Sequence, residues 1–153
     1  MLMAPKREFV ATVYVVHDNK VLLVFHKKLK KWLPPGGHID DNELPDETAV
    51  REVKEETGID IELIGEKQHK MSDIVKPLFR PEVVQLEDIE HNNEVHQHID
   101  LFYLAVPKTH KICMSDESVD VRWFLLKDMK KEKVPENIKY TARLMIEKVK
   151  KIN

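Results

Sequence analysis

The chain has 153 residues, 42% of them hydrophobic and 34% charged, which suits one folded domain over residues 1–153 and excludes a disordered acidic segment. The 25 Lys and Arg residues nearly balance the 27 Asp and Glu residues, for a formal net charge of -2. The net charge therefore provides no general attraction to nucleic acid or to an anionic membrane. Cys113, the single cysteine, excludes an internal disulfide, so we expect a cytoplasmic setting and a small buried or strand-end thiol.

The N-terminal quarter of the sequence predicts a β-hairpin followed by a break. The runs EFVATVYVV and KVLLVFHKK are rich in β-branched residues, and HDN between them is a turn signal. The first run is too short to span a membrane, which takes about 20 apolar residues. The Pro/Gly cluster LPPGGH then interrupts the strand pattern.

The rest of the sequence predicts two helices that flank several strands. The first helix runs from about Pro45 to Thr57, because Pro suits a first helical position and Gly58 suits the end. Four predicted strands follow, in IDIELIGEKQ, EVVQLEDI, VHQHIDLFYLAV and VDVRWFLL, and then an amphipathic closing helix in PENIKYTARLMIEKVKKI. We therefore predict an α/β fold with helix, mixed sheet and helix in three layers.

The first predicted helix concentrates carboxylates on one face. Glu52, Glu55 and Glu56 are spaced at i, i+3 and i+4, so their side chains project together. A neighbouring apolar stripe would fix that face against the sheet; it consists of Ala49, Val50 and Val53. Like charges at this spacing cost about 0.2–0.5 kcal/mol per pair, and a hard divalent cation would remove that repulsion. The alternative is a solvated helix face, partly compensated by Arg51 and Lys54.

The residues around the carboxylates favour the metal site. From Gly37, five residues lead to Glu43 and seven more to Arg51-Glu52-Val53; after one residue comes Glu55-Glu56, and after another Gly58-Ile59. This run resembles the Nudix box in every defining position. The segment before the box and ESVDVRWFLLKDM after it are also similar to that family, whereas residues 67–94 match only loosely.

The resemblance implies an α/β/α sandwich and a MutT-like hydrolase that cleaves a diphosphate linkage with Mg²⁺ or Mn²⁺. It implies metal ligands in the carbonyl of Gly36 and the carboxylates of Glu52, Glu55 and Glu56. The catalytic carboxylates would be those of Glu52 and Glu55. Glu55 would act either as a metal ligand or as the base that activates water. Arg51 would orient the glutamates together with Glu43.

Two positions depart from the family pattern without touching the implied ligands. Asn42 stands where Gly is frequent, and Asn tolerates left-handed backbone better than most residues. Leu44 stands where Ser or Thr often caps the helix, and the missing acceptor would cost about 1 kcal/mol.

A second group of polar residues lies on a later predicted strand. His96, His98 and Asp100 share one face because strand side chains alternate. They could contact substrate or form a second metal site with His38. A solvent-facing strand end is the interpretation that we favour.

Two further segments are weaker candidates for substrate binding. Glu90 or Glu94 could supply a remote glutamate, as in several Nudix enzymes, or belong to an acidic loop without a role. The lysines of FHKKLKKW, of which Lys28 and Lys31 are the candidates, could attract a polyphosphate. A solvated hairpin end explains them equally well.

The leading hypothesis is a hydrolase of a nucleoside di- or triphosphate derivative, with a small-molecule nucleotide or other diphosphate as its partner and no membrane. RNA is disfavoured because the lysines lack interleaved aromatic residues, and a homodimer is left open. The alternative function is a non-catalytic nucleotide-binding regulator, which would be free to lose the glutamates. Isomerisation of an isoprenoid diphosphate is disfavoured because no cysteine lies near the box.

Overall fold

The protein is described here from a computed structural model that covers residues 4–91, 93–116 and 118–153. The elements in chain order are β1 (Lys6–His17), β2 (Lys20–His26), β3 (Lys31–Leu33), β4 (Gly36–His38), α1 (Pro45–Thr57), β5 (Ile61–Ile64), β6 (Val83–His91), β7 (Glu94–Pro107), β8 (Ser118–Leu125), a 3₁₀ helix (Asp128–Lys131) and α2 (Glu136–Ile152). No helix in these described ranges is long and apolar enough to cross a membrane.

The predicted N-terminal hairpin is confirmed as β1 and β2. His17 pairs with Lys20, and the two residues between them, Asp18 and Asn19, have φ values of 48° and 60°. Two central residues with positive φ define the type I′ turn, whose twist matches that of the flanking strands. The LPPGGH segment differs from the prediction, because it contributes to the short strands β3 and β4. A strand of three residues is too short for alternating polar and apolar side chains to identify it in the sequence.

Strand β1 is the centre of the sheet. Within the described residues the sheet has eight strands in the main order β3-β2-β1-β7-β5, with β4 beside β1, β6 beside β7 and β8 beside β2. The long β1–β7 pairing is parallel, and the others are antiparallel. The sheet is mixed, as predicted.

Both faces of β1 are buried, which explains its continuous apolar run. Ala11, Val13 and Val15 pack into the core that contains residues of α1. Tyr14 and Val16 face the other core, which contains residues of α2. The sheet therefore lies between two helices, and the predicted three-layer α/β/α architecture is confirmed.

Two predicted side-chain environments were wrong. Val50, predicted in the apolar stripe of α1, is 40% exposed, whereas Ala49 and Val53 are fully buried; the stripe is narrower because Val50 lies about 100° around the helix from Ala49. Cys113 is exposed and follows the end of β7. The backbone N–H of Cys113 donates to the Thr57 carbonyl at 2.8 Å, so that segment closes over the end of α1.

Candidate functional site

Two glycines of β4 bring the start of the box against both the sheet and α1. Gly36 pairs with Thr12 and Gly37 with Ala11. A β-carbon at Gly36 would overlap the Ala11 carbonyl, and one at Gly37 would overlap the Glu52 carboxylate. The clash at Gly36 is with the backbone of β1, so the close pairing of β4 with β1 requires glycine there. A larger residue at Gly37 would displace the Glu52 carboxylate from its place beside β4.

Helix α1 begins and ends with backbone features that set its register. Its first residue is Pro45, and Gly58 closes it in the left-handed conformation at φ 76°. Leu44, at the N-cap, offers no side-chain acceptor, but its own N–H donates to Glu47 Oε2 at 3.1 Å. Asn42 has φ 65°, as its tolerance of left-handed backbone predicts.

Arg51 holds the carboxylates of the box together. Its Nε and Nη2 donate to the two oxygens of Glu43 at 2.8 and 2.9 Å, a bidentate geometry. Its Nη1 donates to Glu52 Oε1 at 2.9 Å and to Glu55 Oε2 at 3.1 Å. Nη2 also reaches the His38 carbonyl at 3.3 Å. One guanidinium therefore fixes three carboxylates and the end of β4.

The electrostatics of this cluster separate Glu43 from Glu52. The Arg51 and Thr48 hydrogen bonds lower the pKa of Glu43 to about 2. Burial raises the pKa of Glu52 despite its contact with Arg51. Glu43 is thus ionised and holds Arg51. Glu52 is partly removed from water, and its contact with Arg51 does not fully compensate its negative charge.

The donors around Glu52 are oxygens, the chemistry that hard divalent cations require. The Gly36 N–H donates to Glu56 Oε1 at 3.3 Å, so the Glu56 carboxylate lies beside the Gly36 backbone. Glu56 also contacts Glu52. The side chain of Glu55 is 58% exposed and reaches the same Arg51 nitrogen as Glu52. Gly36, Glu52, Glu55 and Glu56 therefore fit the donor set of Mg²⁺ or Mn²⁺.

An open cleft of about 720 Å³ lies beside the box. Its lining is acidic and partly apolar, with Glu8, Asp40, Asp41 and Glu43 among the charged residues and Phe9, Ile39, Pro45 and Leu101 among the apolar ones. Unscreened carboxylates would repel a polyphosphate, so an anionic ligand needs a cation to enter here.

Several predicted substrate-binding residues lie elsewhere. Lys28 and Lys31 are exposed on the β2–β3 hairpin and are not among the residues that line the cleft. Glu90 pairs with Val95, and Glu94 pairs with His91, at the tip of the β6–β7 hairpin. Through β1, Gly36 lies level with Phe102 on β7, about 25 Å further along that strand. The structure therefore does not bring Glu90 or Glu94 to the box.

The polar face of β7 is largely covered, which corrects the favoured prediction of a solvent-facing strand end. Asp100 is only 5% exposed, and Thr12 Oγ1 donates to its Oδ2 at 2.9 Å. The Oδ1 of Asp100 is buried with no hydrogen-bond partner in the described part of the chain. Burial and the neighbouring Glu87 raise its pKa to about 9, which favours the protonated carboxyl at neutral pH.

The rings of His98 and His38 are neighbours, as one of the two hypotheses from the sequence required, but the acidic side chain beside them was not predicted. Their rings lie 5.1 Å apart at 85°, and burial lowers the pKa of His98. Glu8 on β1 accepts a hydrogen bond from the Nε2–H of His38 at 2.7 Å. His96 instead lies 3.9 Å from Glu94. Only the parallel register of β1 and β7, which pairs Glu8 with His98, could have identified Glu8.

The comparisons with known proteins agree with this fold and box. The NUDIX domain family model matches residues 6–144, so the chain belongs to the Nudix hydrolase family. It is 30% identical over 136 residues to a probable DHNTP pyrophosphohydrolase of Lactococcus lactis subsp. cremoris (strain MG1363), covering 88% of this chain and 71% of that protein.

Two other similarities cover different extents of the chain. A putative 8-oxo-dGTP diphosphatase of Bacillus subtilis (strain 168) is 45% identical over 49 residues, about a third of each chain. The crystal structure of a NUDIX family hydrolase from Clostridium perfringens superposes with a TM-score of 0.79 and 33% identity, covering 94% of this chain and 99% of that one.

Proposed function

We propose that this protein is a Mg²⁺- or Mn²⁺-dependent pyrophosphohydrolase that cleaves the diphosphate linkage of a nucleoside triphosphate or related triphosphate in the cytoplasm. The observation that carries the proposal is the Arg51-centred cluster, which holds Glu52 and Glu55 beside Gly36 and Glu56. The names of the relatives support the reaction class, and DHNTP and 8-oxo-dGTP are the first compounds to test.

Different residues of the box would bind the divalent ion, activate water and position the carboxylates. Gly36, Glu52, Glu55 and Glu56 would hold the divalent ion, and Glu55, the most exposed carboxylate of this set by its 58% exposure, is the candidate base for water. When bound, the ion would neutralise charge on the phosphoryl oxygens and lower the pKa of water. Glu43 and Arg51 are positioning residues, because they orient the carboxylates without facing the diphosphate first.

Substrate would enter through the acidic cleft. Its apolar residues, Phe9 and Leu101 among them, provide a surface for a flat ring system, and the bound ion would compensate the acidic rim. His38 lines this cleft, and the His98 ring lies 5.1 Å from the His38 ring, so both histidines are candidate substrate contacts.

The test is release of pyrophosphate or phosphate with Mg²⁺ or Mn²⁺ from a panel of NTPs, dNTPs, 8-oxo-dGTP, DHNTP, nucleotide sugars, dinucleoside polyphosphates and capped RNA. We expect turnover of at least one triphosphate and a loss of at least about 100-fold in Glu56→Gln. Glu62→Gln, at an exposed position on β5, is the matched control and should retain wild-type activity.

The opposite result identifies the alternative function. Saturable nucleotide binding without turnover on any member of the panel would refute the hydrolase and favour a non-catalytic regulator. Turnover that Glu56→Gln leaves intact would refute the proposed metal ligands.

A further inference from the structure

Three residues outside the box converge from three different strands. Glu8 lies on β1, His98 pairs with it across the parallel ladder to β7, and His38 lies on β4 opposite Val10. One ligand atom from each side chain lies within 4.8 Å of the other two. We propose that Glu8, His38 and His98 bind a transition-metal ion of the Zn²⁺ class, separately from the carboxylate face of α1.

The backbone ladders preorganise this cluster. The N–H of Ile39 donates to the Phe9 carbonyl at 3.0 Å, which continues the β1–β4 pairing past His38. Each ligand is therefore attached to a strand that is paired with its neighbour, and ligands on rigid elements keep their geometry better than ligands on loops.

Only small side-chain movements would close the site around an ion. Metal–ligand bonds of about 2.0–2.2 Å place the ligand atoms of a tetrahedral site about 3.4 Å apart. His38 Nε2 and Glu8 Oε2 are now 2.7 Å apart and share a hydrogen bond, so a metal ion would replace the proton between them. The His38 ring is 55% exposed, which leaves it free to turn toward His98.

The surrounding charges are compatible with a divalent cation. Lys6 pairs with Glu8, but its side chain is 69% exposed and can move into solvent. Glu87, opposite His98 in the β6–β7 ladder, adds a carboxyl on the same face, whereas His96 lies two residues along the strand. Glu8 and Glu87 together supply negative charge to offset one metal ion.

The ligand chemistry distinguishes this cluster from the box. Two imidazoles and one carboxylate suit Zn²⁺, Co²⁺, Ni²⁺ or Fe²⁺, whereas an all-oxygen set suits Mg²⁺ and Mn²⁺. Three protein ligands leave one tetrahedral position for water or for a ligand atom from the cleft, which Glu8 and His38 also line.

In the experiment, Co²⁺ is titrated into the full chain in excess Mg²⁺ and without substrate. Binding is measured by the visible d–d absorption of Co²⁺ and by isothermal titration calorimetry. We expect one Co²⁺ per chain, displaced by Zn²⁺, with affinity reduced at least about tenfold in both His98→Gln and Glu8→Gln. His69→Ala, at an exposed histidine in another segment, and Glu56→Gln should bind Co²⁺ like the wild type.

The proposal is overturned if the wild type shows no d–d band, or if His98→Gln and Glu8→Gln bind Co²⁺ with the same affinity as the wild type. A band lost only in Glu56→Gln would also overturn it, because the ion would then occupy the box. Circular dichroism of each variant shows whether it is folded. The outcome is independent of hydrolase activity because no turnover is measured.

Discussion

Replacing Asp100 by Asn should stabilise the protein increasingly as pH rises. The carboxyl of Asp100 is buried beside Glu87, and its pKa is raised from 3.8 to about 9. The folded protein therefore keeps a proton on Asp100 that the unfolded chain releases above about pH 4. Asn keeps the acceptor for Thr12 and replaces the O–H by an N–H donor, so it resembles the protonated acid without titrating.

The magnitude follows from proton linkage. A raised folded-state pKa gives stability that is complete below the unfolded value of 3.8 and is lost as pH rises toward about 9. Within that window each pH unit costs up to about 1.4 kcal/mol for one proton. Between about pH 5.5 and pH 7.5 the advantage of Asp100→Asn over wild type should therefore grow by up to about 3 kcal/mol.

Urea unfolding of both proteins at the two pH values measures this difference. Titrating groups that do not contact Asp100 cancel when the variant is compared with wild type, whereas Glu87, which raises the pKa of Asp100, belongs to the effect that is measured. Asp73→Asn is the matched control, since the Asp73 side chain is 99% exposed, and its difference from wild type should not change with pH. If the Asp100→Asn difference is the same at both pH values, Asp100 does not hold a proton in the folded state and the reasoning fails.

Two further predictions concern the box. Arg51→Lys should lower kcat about 10- to 100-fold with a smaller change in KM, because one ammonium cannot reproduce the forked contacts to Glu43 and Glu52. The control is Arg80→Lys, at an exposed ion pair, which should have wild-type kinetics. Equal kinetics in the two variants would refute the positioning role of Arg51. The free energy of unfolding of Leu44→Ser should exceed that of Leu44→Ala by about 1 kcal/mol, because the hydroxyl supplies the missing N-cap acceptor. Equal midpoints in urea would show that the first-turn amides of α1 gain nothing from a side-chain acceptor.

The sequence predicted the parts of the structure that local rules determine. Helix α1 has both predicted ends because Pro45 and Gly58 have strong backbone preferences. The shared face of the carboxylates follows from helix periodicity alone. The left-handed backbone at Asn42 was predictable for the same reason, since few residues accept that conformation.

The parts it did not predict depend on which strands become neighbours. Glu8 and His98 are 90 residues apart in sequence, and the parallel β1–β7 pairing puts them side by side. The burial of Asp100 depends on the same pairing, together with β6 on its other side. No local pattern shows that a polar residue near a strand end will be covered by another strand.

Alternation along β4 explains how one segment can serve two different clusters. The Gly37 α-carbon faces the Glu52 carboxylate on the α1 side, so the next residue, His38, projects to the opposite side of the strand. The His38 carbonyl nevertheless accepts a hydrogen bond from Arg51, so a residue of the box fixes the backbone that lies between the two clusters. A metal ion on the His38 ring would immobilise that same carbonyl from the other side. Occupancy of the imidazole cluster is therefore expected to tighten the geometry of Arg51 without adding a ligand to the carboxylates.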